Sequence, residues 1–149
     1  MKYQRELDEI TQLVRAAQRS EDAQSRTVIY LKQHFNHYNW VGIFRLQGKE
    51  LVLGPFQGQT PAKFSRIAVG QGICGTAAVT MRTEVVPDVE ADARYLLCFA
   101  ETRSEIVVPI IRDGRLWGEI AIDSNQPDAF TADDARFLEA VAGLLAERV

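Results

Sequence analysis

The segment SEIVVPIIRDGRLWGEIAIDS, residues 104–124, constrains the fold more strongly than any other part of the sequence. Asp113-Gly114 separates two apolar runs, and this dipeptide between such runs is a strong local signal for a β-hairpin. Pro109 interrupts the first run. Because proline has no N–H to donate to a sheet, we expect it at a bulge or facing away from a partner strand. A second hairpin is predicted for residues 39–58, around a turn that contains glycine.

Helical patterns occupy both ends of the chain. Apolar or small side chains recur at helical spacing over residues 3–19 and again over about 21–36, which predicts two amphipathic helices. Thr131 followed by Asp134 resembles a capping box at the start of a closing helix, and a short helical turn is predicted from about Thr76. The order helix, helix, hairpin, irregular crossover, hairpin, helix groups strands with strands and predicts an α+β domain with an antiparallel sheet.

The length and charge of the chain limit its organisation and its partners. A chain of 149 residues fits one domain, so residues 1–149 are predicted to form a single unit. The net charge is −3 and the basic residues are scattered, which argues against a nucleic-acid partner or an anionic membrane surface, since phosphate binding needs a concentrated positive field. The apolar runs are far shorter than the roughly 20 residues of a membrane span, and the N-terminal segment has no apolar signal core. The resulting prediction is a cytoplasmic protein without a membrane partner.

The chain has two cysteines, Cys74 and Cys98. In a reducing cytoplasm a permanent disulfide is not expected, so each is either a small buried hydrophobic residue or a reactive thiol. Cys98 lies within residues 88–103, a long stretch without sustained periodicity, and long loops in compact domains often carry function. Cys74 lies in GQGICG, whose glycines permit a tight or positive-φ backbone.

An ordered series of motifs runs from about Asn39 to the closing helix: NWVGIF, LVLGPFQG, VGQGICGTAA, VVPDV, SEIVVPI, DGRLWGEIAIDS and FTADDARFLEAV. Such a series is more specific than any single motif. It resembles the small GAF domains of the free methionine-(R)-sulfoxide reductases. The resemblance implies a GAF-like fold of the PAS/profilin-like kind, in which a six-stranded antiparallel sheet has helices packed on one side and a ligand pocket on the other.

The resemblance implies redox roles for both cysteines. In that family the cysteine just before the SEIVVPI strand is the attacking thiol, the place of Cys98, and the cysteine of GxCGTA is a resolving thiol, the place of Cys74. The predicted function is thiol-dependent reduction of a small-molecule sulfoxide, free methionine-(R)-sulfoxide or a related compound, through a Cys98 sulfenic acid and a Cys98–Cys74 disulfide. Thioredoxin or another dithiol is the implied reductant, and no cofactor is implied. Phe64 replaces a third cysteine that the family often carries, which leaves Cys74 to resolve Cys98 alone.

Five further residues are expected in the pocket. Glu105 and Asp123 match two acids that the family uses for the substrate, and Trp40 matches a pocket aromatic. Phe99 stands where the family commonly has an aspartate, and Ala121 replaces the first acid of the family sequence DIDS. These two departures predict a less acidic, more apolar pocket that suits a less cationic or bulkier ligand, with the thiol chemistry retained and the substrate choice shifted.

Other interpretations of the same residues stay open. Arg103 is the cation nearest to Cys98 in sequence, and it either activates that thiol or is an exposed loop residue. The function could instead be another cysteine-dependent reaction on a small electrophile, or non-catalytic sensing of a small molecule with Cys98 merely lining the pocket. His34 and His37 lack the companions of a zinc site, so no metal site is predicted. The apolar stripes of the terminal helices could pair two copies as a homodimer or be buried within one chain.

Overall fold

The computed structural model describes residues 1–149 and contains one six-stranded sheet. All neighbouring strands are antiparallel, in the order β3-β2-β1-β6-β5-β4, so the predicted α+β class and antiparallel sheet are confirmed. The α-helices are α1 (Gln4–Ala16), α2 (Ser20–His34), α3 (Gly72–Thr80) and α4 (Ala132–Ala146), and the strands are β1 (Trp40–Gln47), β2 (Glu50–Gln57), β3 (Arg66–Ala68), β4 (Glu84–Val86), β5 (Ser104–Arg112) and β6 (Arg115–Ser124).

The hairpin predicted around Asp113-Gly114 joins β5 to β6. Both turn residues have positive φ, 52° for Asp113 and 75° for Gly114, as a type I′ turn requires. Pro109 lies just before a register shift that follows Ile110, and β4 pairs with β5 only over 105–107. Pro109 is therefore next to a bulge and beyond the end of the β4 ladder, where a missing N–H donor costs little.

One face of the sheet is covered by α1, α2 and α4. Alternate residues of the central strands, such as Ile106 of β5 and Ile122 of β6, point into this layer, as the period of two in a strand requires. Ile10 of α1 and Leu138 of α4 are fully buried against them. The apolar stripes of the terminal helices are thus covered within one chain.

The capping box predicted at the start of α4 is present. The Asp134 carboxylate accepts from the Thr131 N–H at 2.9 Å, and the Thr131 hydroxyl accepts from the Asp134 N–H at 3.3 Å. Tyr38 donates to the same carboxylate at 2.6 Å, and His37 Nε2 lies 2.9 Å from it. Although burial opposes the change, hydrogen bonds from His37 and Tyr38 lower the pKa of Asp134 to about 2. His34 contacts a backbone carbonyl of its own helix, so the two histidines hold separate structural contacts.

Two helix boundaries differ from the sequence prediction. The first helix ends at Ala16, because Ala17 has the extended ψ of 138°, instead of continuing to residue 19. The third helix begins at Gly72, ahead of the predicted start at Thr76, and its first turn therefore contains Cys74. No helix combines the length and apolar character that crossing a bilayer requires.

Candidate active site

A cavity lies on the face of the sheet opposite α1, α2 and α4. The strands β1, β5 and β6 form its floor, α3 lies at one side, and the loops that precede β3 and β5 cover it. The space between its lining atoms is about 470 Å³, including its open mouth. Every residue predicted as catalytic or pocket-lining is among its lining residues, which are Trp40, Phe44, Pro61, Phe64, Ile67, Ile73, Cys74, Leu96, Cys98, Phe99, Glu105, Ala121 and Asp123.

Two buried carboxyl groups form the polar part of the floor. Glu105 on β5 and Asp123 on β6 are direct register partners, and each carboxyl group shifts the pKa of the other. Burial and the charge of Asp123 raise the pKa of Glu105 well above its usual range. Burial also raises the pKa of Asp123, against hydrogen bonds from Glu105 and Thr102. Since two like charges this close are not both ionised, the two acids share roughly one negative charge at neutral pH.

Cys98 lies at the cavity wall, half-buried, a few residues before β5 begins. Its thiol donates to the carbonyl oxygen of Lys63 at 3.4 Å. Burial, followed by the charges of Asp123 and Glu105, raises the pKa of Cys98 to about 11. The thiol of the ligand-free protein is therefore protonated at neutral pH.

Arg103 does not face Cys98. Its guanidinium donates to the carbonyl oxygens of Ala100 and Thr102, at 3.2 Å each, and lies 3.6 Å from the carboxylate of Glu90. Arg103 is absent from the cavity lining and from the groups that shift the Cys98 pKa. Of the two interpretations of this residue, the structure supports the exposed loop arginine.

Cys74 is buried in the first turn of α3. The partial positive charge of a helix N-terminus favours a thiolate, but here burial dominates. Burial, with the charges of Glu119, Glu105 and Asp123, raises the pKa of Cys74 well above its ordinary value. Gly75 brings this turn close to the end of β3, since a Cβ at that position would lie 2.6 Å from the carbonyl oxygen of Ala68.

Aromatic and small side chains form the apolar sides of the cavity. The Trp40 indole donates to the carbonyl oxygen of Gln59 at 2.9 Å, and its ring lies 5.7 Å from that of the buried Phe99. The ring is thereby fixed in orientation. Ala121 points to the same side of β6 as Asp123, so the floor next to the acid pair is apolar where the family sequence DIDS would place another acid.

Two buried polar groups at this face were not identified from the sequence. Glu119 is 0% exposed, and neither of its carboxyl oxygens has a well-formed hydrogen bond. Burial raises the pKa of Glu119 to about 9, and its contact with the Cys74 thiol partly opposes this. The period of two along β6 places Glu119 on the face of Asp123, so strand alternation could have found it. The Tyr95 hydroxyl, in the loop before Cys98, is also buried without a partner, and no sequence signal points to it.

Comparison with known proteins places the chain among GAF domains. The sequence model of the GAF domain matches residues 3–149. The free methionine-R-sulfoxide reductase of Saccharomyces cerevisiae is 45% identical over 111 residues, which cover 72% of this chain and 61% of that protein. The free methionine-R-sulfoxide reductase of Escherichia coli is 34% identical over 121 residues, which cover 81% of this chain and 72% of that protein.

A solved structure of a protein with the same name as these two relatives has a similar fold. The X-ray structure of the free methionine-R-sulfoxide reductase from Neisseria meningitidis in complex with its substrate superposes with a TM-score of 0.90 at 36% identity, covering 95% of this chain and 84% of that chain. The chain therefore belongs to the GAF domain family, in the free methionine-R-sulfoxide reductase group that these relatives represent.

Proposed function

We propose that the protein reduces free methionine-(R)-sulfoxide to methionine, with Cys98 as the attacking thiol and Cys74 as the resolving thiol. The observation that carries the proposal is that the Cys98 thiol and the Glu105–Asp123 pair line the same cavity. Reduction of an amino-acid sulfoxide needs a thiol for the sulfoxide sulfur and a negative charge for the ammonium. The names of the relatives from three organisms support the same substrate.

The acid pair is matched in charge to one ammonium group. A buried ammonium without a partner costs several kcal/mol, and the shared negative charge of Glu105 and Asp123 supplies that partner. The rings of Trp40 and Phe99 suit the apolar part of the substrate chain. Ala121 carries no charge, so the Glu105–Asp123 pair remains the partner of the ammonium. The methyl group of Ala121 also makes the cavity more apolar than an acid at this position would.

Substrate binding activates the thiol. Burial is the main cause of the raised pKa of Cys98 in the free protein, and the charges of Asp123 and Glu105 add to it; an ammonium bound to the pair cancels the contribution of these charges and so lowers the pKa. As Cys98 attacks the sulfoxide sulfur, its thiol proton passes to the Glu105–Asp123 pair and the pair gives a proton to the sulfoxide oxygen, so the charge of the pair is the same before and after the step. The substrate S–O bond breaks and the oxygen ends on Cys98 as a sulfenic acid, so the substrate sulfur gains the two electrons that Cys98 loses.

A second thiol completes the cycle. Cys74 attacks the sulfenic sulfur, water leaves, and a Cys74–Cys98 disulfide forms, which requires the two α-carbons to approach within about 7 Å. A dithiol such as thioredoxin restores both thiols by exchange. A cycle that depends on such a reductant fits a reducing compartment such as the cytoplasm.

A thioredoxin-coupled assay of NADPH oxidation tests the proposed function. Turnover is expected with free methionine-(R)-sulfoxide and not with the S epimer. N-acetylmethionine-(R)-sulfoxide, which has no ammonium, is expected to be a poor substrate because it leaves the charge of the acid pair unpaired. Preference for the acetylated compound would contradict the proposed recognition and support the shifted substrate choice that Phe99 and Ala121 suggest.

Substitution Asp123→Asn is expected to have opposite effects on catalysis and on thiol reactivity. Loss of the charged partner of the ammonium lowers kcat/KM about 100-fold, mainly through KM. The same change removes a charge that raises the Cys98 pKa, so alkylation of the free protein by iodoacetamide at pH 8 becomes faster. Substitution Glu50→Gln, at an exposed position on β2, is the control and should leave both kcat/KM and the alkylation rate unchanged. A fall in both activity and alkylation would indicate structural damage and refute the electrostatic role.

A non-catalytic binding module is the second candidate, because burial and the acid pair keep the Cys98 thiol protonated in the ligand-free protein. Such a module binds methionine sulfoxide without altering it. Isothermal calorimetry combined with chromatography of the recovered ligand separates the two candidates. Binding with full recovery of the sulfoxide from the reduced protein would favour the module, and recovery of methionine would favour the reductase.

A further inference from the structure

Glu119 is a buried acid for which the reduction step has no use. It lies on β6, on the same face as Ala121 and Asp123, and is 0% exposed. Neither of its carboxyl oxygens has a well-formed hydrogen bond. Because a buried polar group without partners costs about 1–3 kcal/mol, such a group needs an explanation.

Glu119 lies on the face of β6 against which α3 packs, and the thiol of Cys74, in the first turn of α3, is the polar group that partly opposes the rise in the Glu119 pKa. The register partners of Glu119 are Phe44 on β1 and Pro109 on β5, which carry no charge. Arg45, next along β1, is exposed and lies over the Trp117 ring, so it does not neutralise the acid. The other titratable groups that act on Cys74 from this side of the sheet are Glu105, Asp123 and Cys98.

We propose that Glu119 is the general base for Cys74, accepting the thiol proton as Cys74 attacks the Cys98 sulfenic acid. This inference deepens the proposed function and rests on it. The Cys74 S–H bond breaks and its proton moves to a Glu119 carboxylate oxygen, while the Cys74–Cys98 S–S bond forms. The Cys98 S–O bond breaks, and the hydroxide leaves as water with a proton from solvent at the mouth of the cavity. Each sulfur of the disulfide ends at the same oxidation level, so no outside oxidant is needed.

Burial raises the proton affinity of both groups. A carboxylate of ordinary pKa is too weak a base for a thiol, and general-base catalysis is most efficient when donor and acceptor are close in pKa. Burial raises the pKa of Glu119 to about 9 and also raises that of Cys74. Transfer of the proton moves one negative charge from oxygen to sulfur without creating a second one, which avoids the cost of two buried charges.

A pH dependence follows from this arrangement. The working form of Glu119 is its carboxylate, whose fraction rises about tenfold for each pH unit below the pKa of about 9. Resolution should therefore accelerate from pH 6 towards pH 9. The reduction step, which depends on Cys98 and its acid pair, does not follow the ionisation of Glu119.

Single-turnover experiments separate the two steps. Reduced protein is mixed with one equivalent of free methionine-(R)-sulfoxide without a dithiol and quenched over time. Methionine reports reduction, loss of both free thiols reports resolution, and dimedone with mass spectrometry reports sulfenic acid on Cys98. Glu119→Gln is expected to release methionine at the wild-type rate, to resolve about 100-fold more slowly, and to lose the acceleration with pH. The control Glu50→Gln should match wild type in both steps.

The same experiments can also contradict the role of Glu119 or the proposed function. Wild-type resolution with an unchanged pH profile in Glu119→Gln would overturn it. If that variant does not fold, Glu119→Asp keeps a carboxylate and is expected to keep the pH dependence at a lower rate, and a flat profile there would overturn the inference. If wild type releases no methionine, the proposed function fails. One equivalent of hydrogen peroxide then forms the Cys98 sulfenic acid directly, with water as the other product, and the same comparison of resolution rates applies.

Discussion

Substitution Cys98→Ser is expected to abolish reduction of methionine sulfoxide, with a loss in kcat of about 10⁴-fold or more. A serine hydroxyl is a much weaker nucleophile than a thiolate and forms no counterpart of the sulfenic acid that carries the oxygen away. The remaining thiol, Cys74, is 6% exposed, and burial and three neighbouring carboxyl groups raise its pKa. It is therefore a poor replacement for Cys98. The measurement is the yield of methionine in a single turnover without reductant.

Substitution Cys74→Ser is the matched control for this experiment. It removes the other thiol of the same cavity and is expected to leave the first release of methionine, close to one per chain, while disulfide formation stops. If Cys98→Ser released methionine as wild type does and Cys74→Ser did not, the roles of the two cysteines would be reversed. If both variants released it, neither thiol would be the attacking group.

Local signals in the sequence predicted the elements that position the site. The Asp113-Gly114 turn and the Thr131 capping box depend on residues adjacent in the chain, so they can be read without knowledge of the tertiary structure. The motif series placed Cys74 and Cys98 in one pocket, and both line the same cavity. Local signals cannot predict that Cys74 and Cys98 share a pocket, because strands distant in sequence meet in the sheet. This prediction came from the resemblance to a family.

Features that depend on contacts between distant segments could not be predicted in this way. Arg103 is close to Cys98 in sequence, but its loop directs the guanidinium to Glu90 and to backbone carbonyls. Strand alternation indicates which face Glu119 occupies, but not that its neighbour is Cys74 on a helix of the crossover. Proton affinities follow from burial and neighbouring charge, so the raised pKa of the Cys98 thiol became visible only with the structure.

The free energy of unfolding is expected to fall as the pH rises from 5 to 8. The pKa of Glu119 is raised from 4.5 to about 9 by burial in the folded protein. Between these values the unfolded chain releases a proton that the folded chain retains, so each pH unit lowers the free energy of unfolding by about 1.4 kcal/mol. Over this window Glu119 alone accounts for roughly 4 kcal/mol. Glu105 and Asp123, whose pKa values are also raised, act in the same direction.

Other shifted groups titrate outside this window. The lowered pKa of Asp134, about 2, stabilises the fold above the ordinary range of an aspartate, and that contribution is lost only as the pH falls towards 2. The thiols of Cys74 and Cys98 have raised pKa values, that of Cys98 near 11, so they act at alkaline pH. The slope between pH 5 and 8 therefore reports mainly the buried acids at the cavity face.

Substitution Glu119→Met isolates the contribution of one acid. Methionine is similar in size and apolar, so it removes the buried charge without opening a large cavity. Urea unfolding under reducing conditions, followed by tryptophan fluorescence at pH 5, 6.5 and 8, should give a slope shallower than wild type by about 1.4 kcal/mol per pH unit and a variant more stable than wild type at pH 8. Exposed Glu50→Gln should retain the wild-type slope.

An unchanged slope in Glu119→Met would mean that this acid is ionised in the folded protein, and it could not then be the high-pKa base that resolution by Cys74 requires. The expected result, a shallower slope and a Glu119→Met variant that is more stable than wild type at pH 8, would mean that Glu119 is protonated in the folded protein. An acid that weakens the fold at neutral pH, and whose removal both stabilises the protein and slows disulfide formation, contributes to the reaction and not to the fold. This trade between stability and activity is characteristic of functional sites. The unfolding and single-turnover measurements therefore test the same group through independent properties.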